Sequence, residues 1–161
     1  MRLLFEYIFG KPKLAELQKD LSKSPLFENF LPREIKRVLE HATLRTFAKG
    51  EHVFFEGDTS SALYVILRGS VDILTHRPKR ILLTQLYQGT FFGEIGVVYP
   101  TVRSATALAT SDSFLLCFFK HDLDIIIKHY PQIANKLLLN IAQILSQRLI
   151  ATNKTLGELK R

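Results

Sequence analysis

Residues 91–106 of the chain read FFGEIGVVYPTVRSAT, and the expectations for the fold and the function start from this stretch. Gly93 and Glu94 can open a short helical turn, which Pro100 would end. The first turn of a helix leaves backbone N–H groups unpaired and carries partial positive charge, so phosphate is a natural occupant. Arg103 can hold two phosphate oxygens in a fork, with the Ser104 hydroxyl beside it. Because Glu94 can accept a bond from a sugar hydroxyl, the set is typical of a sugar-phosphate site.

The order of these residues resembles a known motif. Phe-Gly-Glu-Ile at 92–95, followed by Arg-Ser-Ala-Thr at 103–106, is similar to the phosphate-binding cassette of the cyclic nucleotide-binding domain family. That family includes bacterial catabolite activator proteins, protein kinase A regulatory subunits and cyclic-nucleotide-gated channels. The resemblance extends to residues 57–58, 63–71 and 88–89, and covers roughly residues 24–150. It implies a non-enzymatic domain that binds a cyclic nucleotide and needs no metal.

The resemblance also implies roles for individual residues. Gly93 and Glu94 would hold the ribose 2′-hydroxyl, while Arg103, Ser104 and the backbone N–H of Ala105 would hold the cyclic phosphate. Phe92 and Ile95 are further candidate site residues in the cassette. Ile73, Leu83 and Thr84 are candidates for contact with the base and the ribose. On the last helix, which would act as a lid over the base, the candidates are Ile144, Gln147 and Arg148. For Ile73, Leu83 and Thr84, an ordinary role in a core strand is an equal alternative. From the residues alone, a plain salt bridge between Glu94 and Arg103 is the simpler interpretation.

Length and composition limit the remaining choices. With 161 residues, of which 47% are hydrophobic, the chain is long enough for one domain with its own core. Its one cysteine, Cys117, lies in an apolar run and suggests a packed thiol in a cytoplasmic protein. No run approaches ~20 apolar residues, so no transmembrane segment is expected. The net charge of +7 permits contact with anions but does not decide the partner.

The periodicity of apolar residues divides the chain into three parts. Residues 1–23 form a predicted N-terminal helical extension, in which the apolar string at 3–9 packs on the domain or on another subunit, with a weak membrane anchor as the less favoured alternative. Residues 24–130 contain a helix starting at Pro32 and then short strands separated by turn signals. The strands are predicted around 44–47 and at 52–55, 62–67, 70–75, 80–86, 106–109 and 114–119. The fold class is therefore mainly β with flanking α, an antiparallel β jelly roll or double-stranded β-helix.

Helical periodicity returns after the last strand. A short helix is predicted at 122–128 with Ile125, Ile126 and Ile127 buried. Residues 131–161 form a long helix, loosened near Gly157, with two apolar stripes. The first stripe, the heptad seam, comprises Leu138, Ala142, Leu145, Leu149, Thr152, Leu156 and Leu159. The second comprises Ile133, Leu137, Ile141 and Ile144. One stripe can pack on the roll while the other pairs with a twin helix in a homodimer, although both could also bury against their own domain.

Competing functions are less well supported by the sequence. A metal enzyme of the cupin kind needs clustered histidines, whereas the five histidines stand far apart. A transcription regulator needs a helix-turn-helix after the long helix, and since no room for one is left, direct sequence-specific DNA binding is not expected. A domain that keeps the fold but serves only for docking or dimerisation stays open. The favoured hypothesis is a sensor of cAMP, or alternatively cGMP, acting on an unknown effector protein.

Overall fold

The computed structural model describes residues 14–76 and 79–159, so the predicted apolar string at 3–9 lies outside the described residues. The described part opens with helical elements, as the sequence predicts. They are α1 (Leu14–Leu21), a 3₁₀ turn (Pro25–Phe27) and α2 (Pro32–Leu39). Pro32 occupies the start of α2, where its missing N–H costs nothing.

Eight strands follow, and they form two four-stranded sheets. The strands are β1 (Thr43–Phe47), β2 (His52–Phe54), β3 (Ala62–Arg68), β4 (Ser70–Thr75), β5 (Ile81–Tyr87), β6 (Phe91–Phe92), β7 (Thr106–Ala109) and β8 (Ser113–Phe119). The strand orders are β1-β8-β3-β6 and β2-β7-β4-β5, and all the pairings are antiparallel. The predicted fold class is confirmed. Strand β6 and the 3₁₀ turn were not predicted, because two or three residues are too few to show a period.

Strand β3 lies at the centre of the molecule, and both of its faces are buried. Leu63, Val65 and Leu67 pack against the helices, in a cluster we call the helical core. Ala62, Tyr64 and Ile66 point the other way, into the space between the two sheets, which we call the roll interior. The sheet that contains β3 is therefore the middle layer of three. Each fully buried Leu, Ile or Val side chain contributes about 1.5–3 kcal/mol to folding.

The described residues contain three further helices: α3 (Ile95–Val98) between β6 and β7, and α4 (Lys120–His129) and α5 (Pro131–Leu159) after β8. The prediction that three consecutive isoleucines of α4 are all buried is wrong. Only Ile126 is buried, while Ile125 and Ile127 are 38% and 45% exposed. Three consecutive residues spread around most of a helical turn, so they cannot share one face. The predicted loosening of the last helix near Gly157 is also wrong, since α5 continues through it.

The two stripes of α5 have different environments. Leu137 and Ile141 of the second stripe are buried in the helical core, and Ile133 and Ile144 pack against its edge. Of the heptad seam, Leu145 also touches this core. The seam leucines Leu138, Leu149 and Leu156 are exposed, and all residues from 149 to 158 are exposed. The first half of α5 is thus part of the domain, whereas the second half projects from it.

Polar bonds fix the first half of α5 to the N-terminal helices. The buried Asn140 side chain donates to the carbonyl oxygens of Leu26 and Glu28, at 2.9 and 3.0 Å. The ammonium of Lys136 donates to Glu34 at 2.8 Å. Since carbonyl groups buried without a donor are costly, these contacts hold α5 in one position on the core.

Replacing Asn140 by alanine removes both donors and leaves the two carbonyl oxygens without their partner. We expect Asn140→Ala to lower the free energy of unfolding by about 1–3 kcal/mol. Asn153→Ala, an exposed change on the same helix, should alter it by less than about 0.5 kcal/mol. Urea denaturation of both variants measures the difference. Equal stability of the two variants would contradict the anchoring role of Asn140.

Candidate functional site

The turn that carries Gly93 and Glu94 depends on two close backbone approaches. Gly93 has a φ of +78°, and a Cβ there would lie 2.9 Å from the Ala62 carbonyl oxygen and 2.7 Å from the Arg103 guanidinium. A Cβ on Gly96 would lie 1.8 Å from the Ser60 hydroxyl. Only glycine at both positions lets α3 lie so close to the loop before β3 and to Arg103.

Arg103 is held by its backbone and by its side chain. Its N–H donates to the carbonyl of Asp58 at 2.8 Å, and its own carbonyl accepts from Gly57 at 2.9 Å. The guanidinium donates to the carbonyl oxygens of Gly93 and Ala62, at 3.0 and 2.8 Å. These bonds connect the start of α3, the end of the cassette and the first residue of β3.

Two aromatic rings surround the same guanidinium. Its Cζ lies 4.0 Å from the ring centroid of Phe54 and 5.7 Å from that of Tyr64. Rings at these distances stabilise a cation through their negative faces. The spacing of Phe54 and Tyr64 in the sequence gives no hint of this role, because both lie on strands as ordinary inward-facing residues. They and Ser60 are site residues that the sequence analysis did not identify.

The charge of Arg103 has no carboxylate partner within 4.0 Å among residues 14–76 and 79–159, although the residue is only 5% exposed. Its Nε is buried and makes no hydrogen bond to any described group. Burial lowers the pKa of Arg103, an effect opposed by the nearby Tyr64, Cys117, Asp58 and Glu94. Since a buried charge without a counter-ion is costly, an anion bound here would gain a strong partner.

Glu94, which the simpler interpretation paired with Arg103, is instead paired with Arg148 of α5. The Arg148 guanidinium donates to Glu94 Oε1 at 2.8 Å and to the Phe91 carbonyl oxygen at 2.7 Å. It also lies 4.9 Å from the ring centroid of Phe91. Glu94 is 5% exposed, and only one of its oxygens is engaged by the described residues. The long helix therefore contacts the cassette directly at the carboxylate expected to bind the sugar.

The structure brings some of the predicted residues together around Arg103. Phe92 is buried in the roll interior, where its ring stacks on Tyr64 at 5.3 Å. Ala105 is buried and Ser104 is exposed, at the end of the cassette. Ile95 is 46% exposed on α3.

The predicted residues outside the cassette have varied positions. Ile73 is half-buried at the edge of the roll interior and lies opposite Thr84 across the β4–β5 pair. Leu83 is 55% exposed, and Thr84 is also exposed. On α5, Ile144 packs against the helical core and Gln147 is exposed, so only Arg148 of the three lid candidates bonds to the cassette.

Other kinds of site find no support in the described ranges. Residues 14–76 and 79–159 contain no group of three or more His, Cys, Asp and Glu side chains that could hold a metal ion. The thiol of Cys117 is fully buried, and this burial raises its pKa to about 11, as expected for a packed thiol rather than a nucleophile. No helix in the described part of the chain is long and apolar enough to cross a membrane.

Comparison with known proteins assigns the chain to a family. Residues 44–130, more than half of the chain, match the model of the cyclic nucleotide-binding domain. The chain belongs to the cyclic nucleotide-binding domain family. This result confirms the family resemblance, and the matched range includes residues 91–106, in which the cassette is predicted.

The chain spans only part of the length of the relatives that it matches. It is 34% identical over 128 residues to the cyclic AMP receptor protein of Thermus thermophilus, covering 78% of this chain and 57% of that protein. It is 30% identical over 104 residues to the cAMP-dependent protein kinase regulatory subunit of Debaryomyces hansenii, covering 65% of this chain and 22% of the subunit. The crystal structure of the Thermus thermophilus catabolite activator protein superposes with a TM-score of 0.77 at 32% identity, over 85% of this chain and 63% of that one.

Replacing glycine by alanine should have opposite effects on stability at Gly93, which has close neighbours, and at Gly157, which has none. Gly93→Ala should lower the melting temperature, because the new Cβ meets a carbonyl oxygen at positive φ and displaces Arg103. Gly157→Ala, where a Cβ meets no atom within 4 Å, should raise stability by up to about 1 kcal/mol, since alanine favours the helix. Thermal unfolding followed by circular dichroism measures both. A Gly93→Ala variant as stable as the parent would show that the turn has room to relax.

Proposed function

We propose that this domain is a non-enzymatic sensor of a cyclic nucleotide, with cAMP preferred over cGMP. The observation that carries the proposal is the buried Arg103 guanidinium, held by backbone carbonyl oxygens and rings but by no carboxylate among the described residues. A cyclic phosphate would supply the missing negative charge. The preference for cAMP rests on two relatives whose names refer to cyclic AMP.

Each cassette residue then has one task. Arg103 forms the ion pair with the cyclic phosphate, and the Ser104 hydroxyl and the Ala105 N–H donate to the phosphate oxygens. Glu94 accepts a bond from the ribose 2′-hydroxyl, beside Gly93. The rings of Phe54 and Tyr64 keep the guanidinium in one orientation, which lowers the entropy lost on binding. The strand positions Ile73, Leu83 and Thr84 contact the ribose and the base.

The response passes through Glu94 to α5. In the structure Glu94 bonds to Arg148, so a ribose hydroxyl would compete for or share the carboxylate that holds the helix. A ligand that binds the two arrangements of this pair with different affinity shifts the equilibrium between them. The output is a change in the position or order of the second half of α5, which an effector protein would detect. Arg148 and, one turn earlier, Ile144 are the residues of α5 that act as the lid.

Removing the guanidinium tests the binding site. Arg103→Ala should weaken binding of cAMP by about 2–4 kcal/mol, roughly 30- to 1000-fold, because it removes the phosphate's buried charge partner. Arg33→Ala removes an exposed arginine of α2 and should leave the affinity unchanged. Calorimetric titration of nucleotide-stripped protein with cAMP and with cGMP gives the affinities and the preference. If neither nucleotide binds the unmodified protein, the domain would be a docking module that has lost its ligand.

Neutralising Arg148 tests the coupling to the helix. Arg148→Gln should retain nucleotide binding with a change in affinity of less than about tenfold, because the phosphate contacts remain. Hydrogen exchange of residues 149–158 should respond to cAMP in the parent protein and not in this variant. An identical response in both proteins would show that the signal reaches α5 by another route.

We also propose that the exposed half of α5 pairs with the same helix of a second copy. The heptad seam carries no charged residue, and leucines at three of its positions are exposed along one line of the helix. A repeat of alternating four and three residues matches a partner helix with the same repeat, which a second copy provides. Isolated helical segments of this length are marginal in water, so pairing would also stabilise the projecting half.

Two aspartate substitutions separate this seam from the rest of the helix surface. Leu149→Asp introduces a charge into the seam and should convert a dimer into a monomer, because a buried unpaired carboxylate is costly. Ile150→Asp changes the neighbouring residue, which is more exposed but lies off the seam, and should leave the dimer intact. Sedimentation equilibrium gives the mass of each variant. Dissociation by both substitutions, or a parent protein that is already monomeric, would refute this interface.

A further inference from the structure

A cavity of about 170 Å³ lies between α3, α4 and α5. Its walls are apolar side chains from all three helices. They include Val97 and Val98 of α3, Leu123 and Ile127 of α4, and Leu137 and Leu138 of α5. Neither Arg103 nor Glu94 lines it, so this cavity is distinct from the cyclic nucleotide site.

The size and lining of the cavity limit what can occupy it. An apolar cavity of about 150 Å³ in an engineered protein stays free of water and binds benzene, a molecule of six carbon atoms. The cavity here is slightly larger and lined by similar side chains. A carbon chain of about six atoms therefore fits, and it can enter from solvent because Val98, Ile127 and Leu138 of the lining are 56%, 45% and 43% exposed.

Lys120 and Asp124 are the two charged residues that line this cavity. They lie one turn apart on α4, form an ion pair with each other, and are each about half exposed (46% and 54%). A hydroxyl or a primary amide can accept a bond from Lys120 and donate one to Asp124 at the same time. For a carboxylate the repulsion from Asp124 offsets the attraction of Lys120, and for an ammonium the repulsion from Lys120 offsets the attraction of Asp124. The charged pair therefore favours a neutral polar group.

We propose that this cavity binds a neutral aliphatic chain of about six carbon atoms that ends in a hydroxyl or amide group. The chain would contact Val97 and Val98 of α3, the helix that follows Glu94. A molecule in the cavity therefore acts on the cassette, and nucleotide affinity changes when the cavity is filled. This last step rests on the proposed nucleotide function. By linkage, the nucleotide must then change the affinity for the chain by the same factor.

Titration with straight-chain alcohols tests the site in the unmodified protein. Affinity should rise about fourfold for each added methylene from 1-butanol to 1-hexanol and then stop rising at 1-octanol. The amide signals of Val98, Ile127 and Leu138 should shift saturably in nuclear magnetic resonance spectra. Hexanoate and hexylamine should bind more weakly than 1-hexanol. Absence of saturable shifts at these residues, tighter binding of either ion, or no limit to the gain with chain length would overturn the proposal.

Replacing alanine by leucine inside and outside the cavity provides a matched control. Ala134 is buried and lines the cavity, so Ala134→Leu should fill it and weaken 1-hexanol binding about tenfold or more. Ala151→Leu makes the same change on the exposed half of α5 and should have no effect. Equal binding by both variants would overturn the site. If Ala134→Leu does not fold, the titrations of the parent protein with alcohols of increasing length still test whether the cavity binds a carbon chain.

The coupling is measured separately by titrating cAMP with and without saturating 1-hexanol. A change in cAMP affinity of at least about twofold is expected, with the same factor in the reverse titration. An unchanged affinity for cAMP would overturn the coupling. The titrations with the alcohols would still show whether the cavity binds a carbon chain. If cAMP does not bind in either condition, the proposed nucleotide function fails, and the alcohol titration tests the cavity independently of it.

Discussion

The burial of β3 on both faces is the constraint on which the other parts depend. One face of the strand completes the roll interior and places Tyr64 beside the Arg103 guanidinium, while the other packs on the helices. The backbone of the same strand supplies the Ala62 carbonyl oxygen that accepts from Arg103. A buried strand cannot shift its register without reversing every side chain, so site and helical core are fixed by one element.

The cassette combines this rigid base with a contact to Arg148 of α5. Arg103 is restrained on three sides, by Gly93, by Ala62 and by the Phe54 ring, and has little freedom to move. Glu94 differs, because its partner belongs to α5 rather than to the roll. An ion pair that is partly exposed on one side can be rearranged at modest cost, as the 39% exposure of the Arg148 side chain allows. The domain thus holds the expected anion site firmly and connects it to α5 through Arg148, which bonds both Glu94 and the Phe91 carbonyl oxygen.

Much of the fold could be predicted from the sequence, because turn residues and alternating apolar residues mark the strands independently of tertiary contacts. The stretch that carries Gly93, Glu94 and Arg103 was singled out by its resemblance to the family motif, because the residues alone favoured a plain salt bridge. The contacts of Phe54, Tyr64 and Ser60 could not be predicted, because they depend on which strands become neighbours. The pairing of Glu94 was misjudged in the simpler interpretation for the same reason: Arg148 lies 54 positions away, and only the packing of α5 brings it near. The individual ligand contacts of the predicted site residues remain predictions.

The geometry of α5 also determines how far a small movement at the cassette is carried. Contact with the domain ends near Arg148, and the helix continues for eleven residues to its last residue, Leu159. At 1.5 Å per residue this projecting part is about 16 Å long, so a tilt of about 10° at Arg148 would displace its end by about 3 Å. A rearrangement of the Glu94–Arg148 pair that tilts the projecting part of α5 would therefore be magnified at the end of the helix.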